Sequence, residues 1–410
     1  MELVSGKWQA GGTDLLELSE RFGTPLYVYD GGKIVSQYRK LKDAFAGIEV
    51  RIKYACKALN NPNILKLLRR EGAGIDAVSL QEIDLALHAG FEPAEILFTP
   101  NCVSIEEYRE AVKRGARINI DNISILDRFG HEYGSGVPVC IRINPHIYAG
   151  GSHHLQTGHI DSKFGISIHQ MRHVHRVVAS HGMNIAGLHM HTGSDILEPD
   201  VFLRGAELLY EAAREFPDLR FIDLGSGFKV PYKEGDVTTD VARLGEALTG
   251  SFSSFCESYG RELELWFEPG KFLVSEAGVL LVKVNVVKQT TATLFAGVDS
   301  GQNHLIRPMF YDAYHGIVNI SNPAAAPRIY SVVGYICETD TLGYDRKLNE
   351  VREGDVLAIL NAGAYGYSMS NNYNARPRPA EVLLLNGVAN LIRKQETFGD
   401  LLTNVVDVPI

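Results

Sequence analysis

Across residues 50–60, Val50, Ile52, Tyr54 and Cys56 alternate with Arg51, Lys53, Ala55 and Lys57. A period of two is that of a β-strand, so a strand is expected over 50–57 with Lys57 near its C-terminal end. Upstream, Leu15, Leu16 and Leu18 mark a short helix closed by Gly23, and 25–29 reads as a strand that stands apart. Downstream, apolar runs at 73–79, 96–99, 117–121, 137–143, 185–191, 220–224 and 263–268 predict seven more strands. Helical patterns lie between them, as at 79–88, 105–114, 168–180 and 202–216. Eight βα units in roughly 240 residues predict a (β/α)8 barrel over 30–274. A doubly wound sheet would want a Gly-rich dinucleotide fingerprint, and none follows Lys57.

Past Gly270 the periodicity changes to strand-like runs at 279–288, 293–298, 328–336, 355–360 and 380–385. Polar and Pro-rich connections such as 321–327 separate them, which predicts an antiparallel β-domain. The 25–29 strand could pair with it, making a second domain of residues 1–29 and 275–410.

A chain of 410 residues suits two domains, and 45% apolar residues allow a sizeable core. A net charge of -9 without any Lys/Arg block argues against nucleic acid and for a small-molecule partner. Cysteines at 56, 102, 140, 256 and 337 form no C-x-x-C pair, so neither a disulfide framework nor a zinc site is expected, and a reducing cytosol fits. Glu2, Lys7 and Asp14 stand where a leader would carry a basic and then an apolar run, and no 18-residue apolar stretch occurs. Neither secretion nor a membrane partner is expected.

In a barrel the chemistry belongs at the C-terminal ends of the strands. Lys57 ends the first strand, Asp76 lies in the second, Arg142 and Asn144 end the fifth, and His189 and His191 end the sixth. Gly225, Ser226 and Gly227 follow the seventh, and Glu268 ends the eighth. A lysine desolvated at a strand end offers a nucleophilic amine for a Schiff base, although a solvated lysine leaving a strand is the plainer alternative. In DLGSGF, 223–228, the glycines let backbone N–H groups approach a phosphate, or simply form a loop. In EPGK, 268–271, Gly270 offers a second such contact, while Glu268 can hold a proton on a ring nitrogen. The histidines of HMHTGS, 189–194, fit a metal pair or satisfied core histidines, but no third ligand is evident nearby and no metal is expected. Arg307 and Tyr311 lie four apart and can grip a carboxylate, or serve an ordinary surface ion pair. If extended, Cys337 and Glu338 point to opposite sides, one toward a reacting carbon and one toward an amine. A structural cysteine is the alternative. Tyr365, Tyr367 and Tyr373 follow in GAYGYSMSNNYNARPRPAEV, 363–382.

Taken together, YACKALN, GIDAVS, HTGS, DLGSG, EPGK, IRPMFY, CETDT and the 363–382 string resemble the diaminopimelate decarboxylases, which are fold-type III pyridoxal-phosphate enzymes. The resemblance runs from about residue 23 to residue 390. It implies decarboxylation of meso-2,6-diaminopimelate to L-lysine and CO2, the last step of lysine biosynthesis, by a cytoplasmic homodimer. It implies that Lys57 forms the Schiff base, that His191 stacks on the cofactor ring, that Glu268 meets the pyridine nitrogen and that Cys337 is the proton donor. Asp76, Ser194, Gly225, Ser226, Gly227, Pro269, Gly270, Lys271 and Tyr365 would complete the pyridoxal phosphate site. Lys271, Arg307, Tyr311, Glu338 and Tyr365 would contact substrate, with Cys337 and Glu338 coming from the partner subunit.

Three departures stand out: Lys271 replaces the family's arginine, Ser226 the middle of three glycines, and Thr339-Asp340 a Ser-Gly-Asp sequence. A point charge in place of a bidentate fork bears on substrate identity more than on reaction type. The rivals are decarboxylases of ornithine, arginine or a carboxylated polyamine precursor, an alanine racemase, and a non-catalytic pyridoxal-phosphate homeostasis protein. The last would stop near residue 240, and CETD and NYNARPRP do not suit a racemase.

Overall fold

The computed structural model describes residues 1–147 and 162–410. The chain divides into two compact units, one of residues 37–230 and 237–272, the other of 1–36, 231–236 and 273–410.

In the first unit, eight parallel strands follow one another: Val50–Ala55, Gly74–Ala77, Ile96–Phe98, Arg117–Ile120, Val139–Asn144, Ile185–His189, Phe221–Asp223 and Glu264–Phe267. The last pairs with the first, Leu265 against Val50 and Phe267 against Ile52, which closes the barrel. Parallel neighbours need crossovers, and local chemistry starts the crossover helices. Asn61 caps helix Pro62–Arg70, with Pro62 supplying a preset φ, Ser79 caps Leu80–His88, and Asp240 caps Val241–Tyr259. Phe221 and Trp266 stack with centroids 3.6 Å apart and join Leu97, Cys140 and Ala186 in a buried cluster. At Gly187 a Cβ would lie 2.3 Å from the Phe221 ring, so glycine is required there. Burial on both faces makes strands such as Val139–Asn144 inaccessible at every position.

The strands stop earlier than the alternation suggests. The ladder between the first two ends at Ala55 and Asp76, and Cys56–Ala58 turns away as a 3-10 helix carrying Lys57. His191 and Glu268 likewise lie just beyond strands that end at His189 and Phe267.

The second unit is built on a sheet ordered Thr341–Asn349, Pro327–Val333, Leu294–Val298, Gly278–Gln289, Leu26–Asp30, Ala380–Leu385, Val388–Arg393. The N-terminal strand Leu26–Asp30 is central, antiparallel to Gly278–Gln289 and parallel to Ala380–Leu385. Leu294–Val298 and Pro327–Val333 are also parallel. The β-domain is therefore antiparallel in most of its pairings, as expected, with these parallel pairs added because they join segments distant in the chain and no hairpin fixes their direction. Strands Ile317–Asn319, Thr341–Asn349 and Val388–Arg393 were not foreseen, nor was the small sheet of Glu2–Val4, Lys7–Ala10 and Thr13–Asp14. The expected 328–336 strand ends at Val333, since Asp340 accepts from Gln302 N at 2.6 Å and Ile336 N at 3.1 Å and folds the segment into a turn. Cys337 and Glu338 sit in that bend and not on opposite faces of a strand. Among the described residues no helix is long and apolar enough to cross a membrane.

Leu26 is fully buried in the β-unit core, whereas Leu3 in the small sheet is 49% exposed. Leu26→Ala should cost about 2–5 kcal/mol. Leu3→Ala should stay within about 0.5 kcal/mol. Denaturant unfolding of both variants checks the contrast.

Candidate active site

At the C-terminal face of the barrel, the loops after strands one, six, seven and eight are tied together by backbone. Ala55 N donates to Pro269 O (3.2 Å), Met190 N to Asp223 O (2.9 Å), Ile196 N to Gly227 O (2.8 Å) and Glu268 N to Gly225 O (2.6 Å). The DLGSGF turn uses its glycines for conformation and for space. Gly225 has φ +64° and a Cβ there would lie 2.6 Å from Met190 O, while Gly227 has φ +135° and would meet Gly193 O at 2.7 Å. Ser226, in the middle, keeps its N–H directed at His191 Nδ1, 3.2 Å away. That bond leaves His191 Nε2 as the ring's protonated nitrogen. Burial first, then the Arg142 and Lys57 charges, push His191 well below the usual histidine range, so it presents a neutral flat ring.

Lys57 Nζ lies 3.2 Å from Asp76 Oδ2, and its side chain is 45% exposed. The desolvation expected of Lys57 is therefore not what the structure provides; a buried carboxylate holds the amine instead. Asp76 itself is raised, by burial first and then by Glu268, with Lys57 opposing. Glu268 is buried, and burial would raise it, yet His189, Lys57 and Arg142 together bring it down to about 2. The closest of these is His189, fully buried with Nε2 3.0 Å from Glu268 Oε2. Of the two histidines, then, His189 is a buried core residue that holds Glu268 through Nε2, its Nδ1 having no partner, and His191 faces the glycine turn. Asp223 supplies a third ligand-type side chain that sequence reading did not find, its donor atom lying with those of His189 and Glu268 within 4.8 Å. The carboxylates are engaged with His189 and with Gly225 N–H, so hydrogen bonds account for the grouping.

Lys271 Nζ forms an ion pair with Asp195 Oδ1 at 2.7 Å, and only 10% of the lysine side chain is exposed. Asp195 follows Ser194 directly and takes a left-handed conformation, φ +62°. Pro269 and Gly270 are buried between Glu268 and Lys271.

The remaining expected residues lie in the β-unit. Arg307 and Tyr311 begin and end a single-turn helix, Arg307–Tyr311. Arg307 is 6% exposed, donates to Tyr232 Oη at 2.8 Å and sits 4.9 Å from that ring's centre. Among the described residues no carboxylate pairs with it, which suits a cation reserved for an anionic ligand. Glu338 accepts from Tyr373 Oη (2.6 Å) and Gln302 Nε2 (3.2 Å), and both Cys337 and Glu338 are exposed. Cys337 is thus no buried structural cysteine. Tyr365 has φ +55°, a strained value for a tyrosine of the kind that concentrates at functional sites.

Pyridoxal phosphate fits the barrel set on three observations: a glycine turn that a Cβ would fill, an anionic buried carboxylate with one oxygen unpartnered, and a lysine amine beside it. Sequence reading missed His189 as the holder of Glu268, together with Asp223, Asp195 and Tyr232. Asp223 opens the DLGSGF motif and Asp195 follows HTGS, so their positions were signalled while their partners were not.

A family model described as the pyridoxal binding domain of pyridoxal-dependent decarboxylases matches residues 31–275. A diaminopimelate decarboxylase from Methanothermobacter thermautotrophicus is 42% identical, covering 96% of this chain and 94% of the relative. The diaminopimelate decarboxylase crystal structures from M. jannaschii, in co-complex with L-lysine, and from Helicobacter pylori, also complexed with L-lysine, superpose with TM-scores of 0.90 and 0.88. Their identities are 33% and 32%, covering 99% and 95% of this chain and 98% of each neighbour. A closed barrel with a lysine–carboxylate pair and a glycine turn at its C-terminal face, matched over nearly the whole length by these proteins, places the chain in the diaminopimelate decarboxylase family of pyridoxal-dependent decarboxylases.

Proposed function

We propose that the protein decarboxylates meso-2,6-diaminopimelate to L-lysine and CO2, the closing step of lysine biosynthesis, with pyridoxal phosphate as cofactor. The observation that carries this is Glu268, a buried carboxylate kept anionic by His189 beside the Lys57 amine. Bound pyridoxal phosphate supplies an electron sink that takes up the charge left as CO2 departs. Glu268 holds a proton at the pyridine nitrogen, which deepens that sink. Lys57 would provide the amine that secures the cofactor, with Asp76, 3.2 Å from it, orienting that amine. His191, neutral, would lie against the ring without adding charge. Ser194, the N–H of Gly227, Gly270 and Tyr365 would hold the phosphate end, while Gly225 and Ser226, whose N–H groups are taken by Asp223 and His191, shape the turn together with Pro269.

The substrate has two carboxylates and two amines. Arg307 with Tyr311 suits the distal carboxylate, and Glu338 the distal ammonium; a substrate carrying both satisfies both. The lysine complexes of the two structural relatives support the product side of this reading. Lys271 contributes a positive charge at the phosphate and substrate end, shared with Asp195.

The active protein is read as a homodimer in the cytoplasm. The support is chemical: Cys337 and Glu338, both needed at the reacting centre, are exposed on the β-unit, where a partner's site can receive them. Five free cysteines suit a reducing compartment. Cys337 of one subunit then delivers the proton to the α-carbon in the other subunit's site.

A panel of amino acids assayed for CO2 release tests the substrate; release from ornithine or arginine but not from meso-diaminopimelate would overturn it. Glu268→Gln should retain cofactor while lowering kcat on the order of 10²-fold or more, as when one preorganised electrostatic partner is removed. Steady-state kinetics on the cofactor-saturated variant checks this. Mixing inactive Lys57→Ala with inactive Cys337→Ala subunits should restore roughly a quarter of wild-type activity, because half of randomly reassorted dimers carry one intact site. Mixtures that exchange subunits yet stay inactive would place both residues in one chain's own site.

A further inference from the structure

Asp223 ends the seventh barrel strand, is fully buried, and has no part in the reaction described above. Its Oδ1 accepts the Gly225 N–H at 2.8 Å. Its Oδ2 has no partner, and neither has Glu268 Oε1. A carboxylate oxygen of each nevertheless lies within 4.8 Å of the other. Two carboxylates that close in a dry interior do not both ionise. His189 already stabilises Glu268 as the anion, so the single proton that would satisfy both orphaned oxygens belongs on Asp223.

We propose that Asp223 is a positioning residue for Glu268: as the neutral acid it donates a hydrogen bond to Glu268 while accepting one from Gly225. One side chain then couples the carboxylate at the pyridine nitrogen to the glycine turn at the phosphate, so the two ends of the cofactor site are held in register. This rests on the reading of Glu268 given above. The groups facing Asp223 agree. Glu268 and Asp76 are anions that favour its neutral form, and burial acts first in the same direction. Arg142 and Lys53, from the fifth and first strands, oppose it, but both are themselves buried and lowered by burial, Lys53 to about 8. Cys140 is a thiol raised well above its usual range by burial and so stays neutral.

The test compares Asp223→Asn and Asp223→Leu in the full chain, reading cofactor affinity and the pH dependence of the bound cofactor's absorption spectrum. The asparagine amide can donate to Glu268 and accept from Gly225 without changing the charge. It should therefore keep the wild-type spectrum, its pH dependence, and an affinity within about threefold. Leucine, which leaves Glu268 and the Gly225 N–H unpartnered, should weaken cofactor binding by about tenfold or more. If Asp223 were an anion, the asparagine variant would remove a charge beside Glu268 and shift the spectral titration by on the order of one pH unit, and that result overturns the proposal even if the leucine variant fails to fold. A stoichiometric metal ion in the purified wild-type protein, lost in the asparagine variant, would also overturn it. Failure of the wild-type chain to take up pyridoxal phosphate at all would instead refute the cofactor reading on which the proposal rests.

Discussion

The barrel depends on keeping one carboxylate ionised where water does not reach. Glu268 is 7% exposed and shares the barrel interior with Asp76 and Asp223, both buried. Left to burial, all three would be protonated. The chain breaks this symmetry with partners: the His189 ring 3.0 Å from Glu268 and the Lys57 amine 3.2 Å from Asp76, with Arg142 adding to the positive field. Only Glu268 is carried below the ordinary carboxylate range. The neighbouring His191 is lowered too, by burial first and then by Arg142 and Lys57, which keeps its ring neutral. Placing all these groups in the strands of a closed barrel or within two residues of their ends fixes their separations, because neighbouring strands cannot shift register without opening the barrel.

Lys271 shows how a single ammonium can be aimed within one chain. An arginine is a fork that grips an anion in two places, whereas a lysine is a point charge that needs orienting. Asp195 does this through a short ion pair, and its left-handed backbone aims the carboxylate back at the lysine. In the β-unit, Arg307 is kept ready differently, by a phenol and its ring, which orient a buried guanidinium without neutralising it.

Much of this was legible in the chain. Strands buried on both faces read as apolar runs, and the motif residues fall just past them, so the barrel and most of the site followed from spacing and resemblance. Strand ends were overrun because Lys57 and His191 continue the alternation that the ladder has already abandoned at Ala55 and His189. Pairing across the barrel leaves no trace in local sequence: His189 and Glu268 are 79 residues apart, Asp195 and Lys271 are 76 apart. The direction of the β-unit's strands was hidden for the same reason, and Thr341–Asn349, with Tyr344, Asp345 and Lys347 exposed, lacks the apolar run that would have announced it.

The central position of Leu26–Asp30 has a consequence for how the polypeptide emerges from the ribosome. This strand is made early, but Glu381, which receives the Tyr29 hydroxyl, is made 352 residues later. At ordinary elongation speeds of about 5–20 residues per second, the interval is roughly 20–70 s. The barrel's closing strand, Glu264–Phe267, is complete well before then. Until Gly278–Gln289 follows, four apolar residues, Leu26 to Tyr29, form a strand with both edges open, and one edge stays open until Ala380–Leu385 is made, the kind of segment that chaperones recognise and that other nascent chains capture.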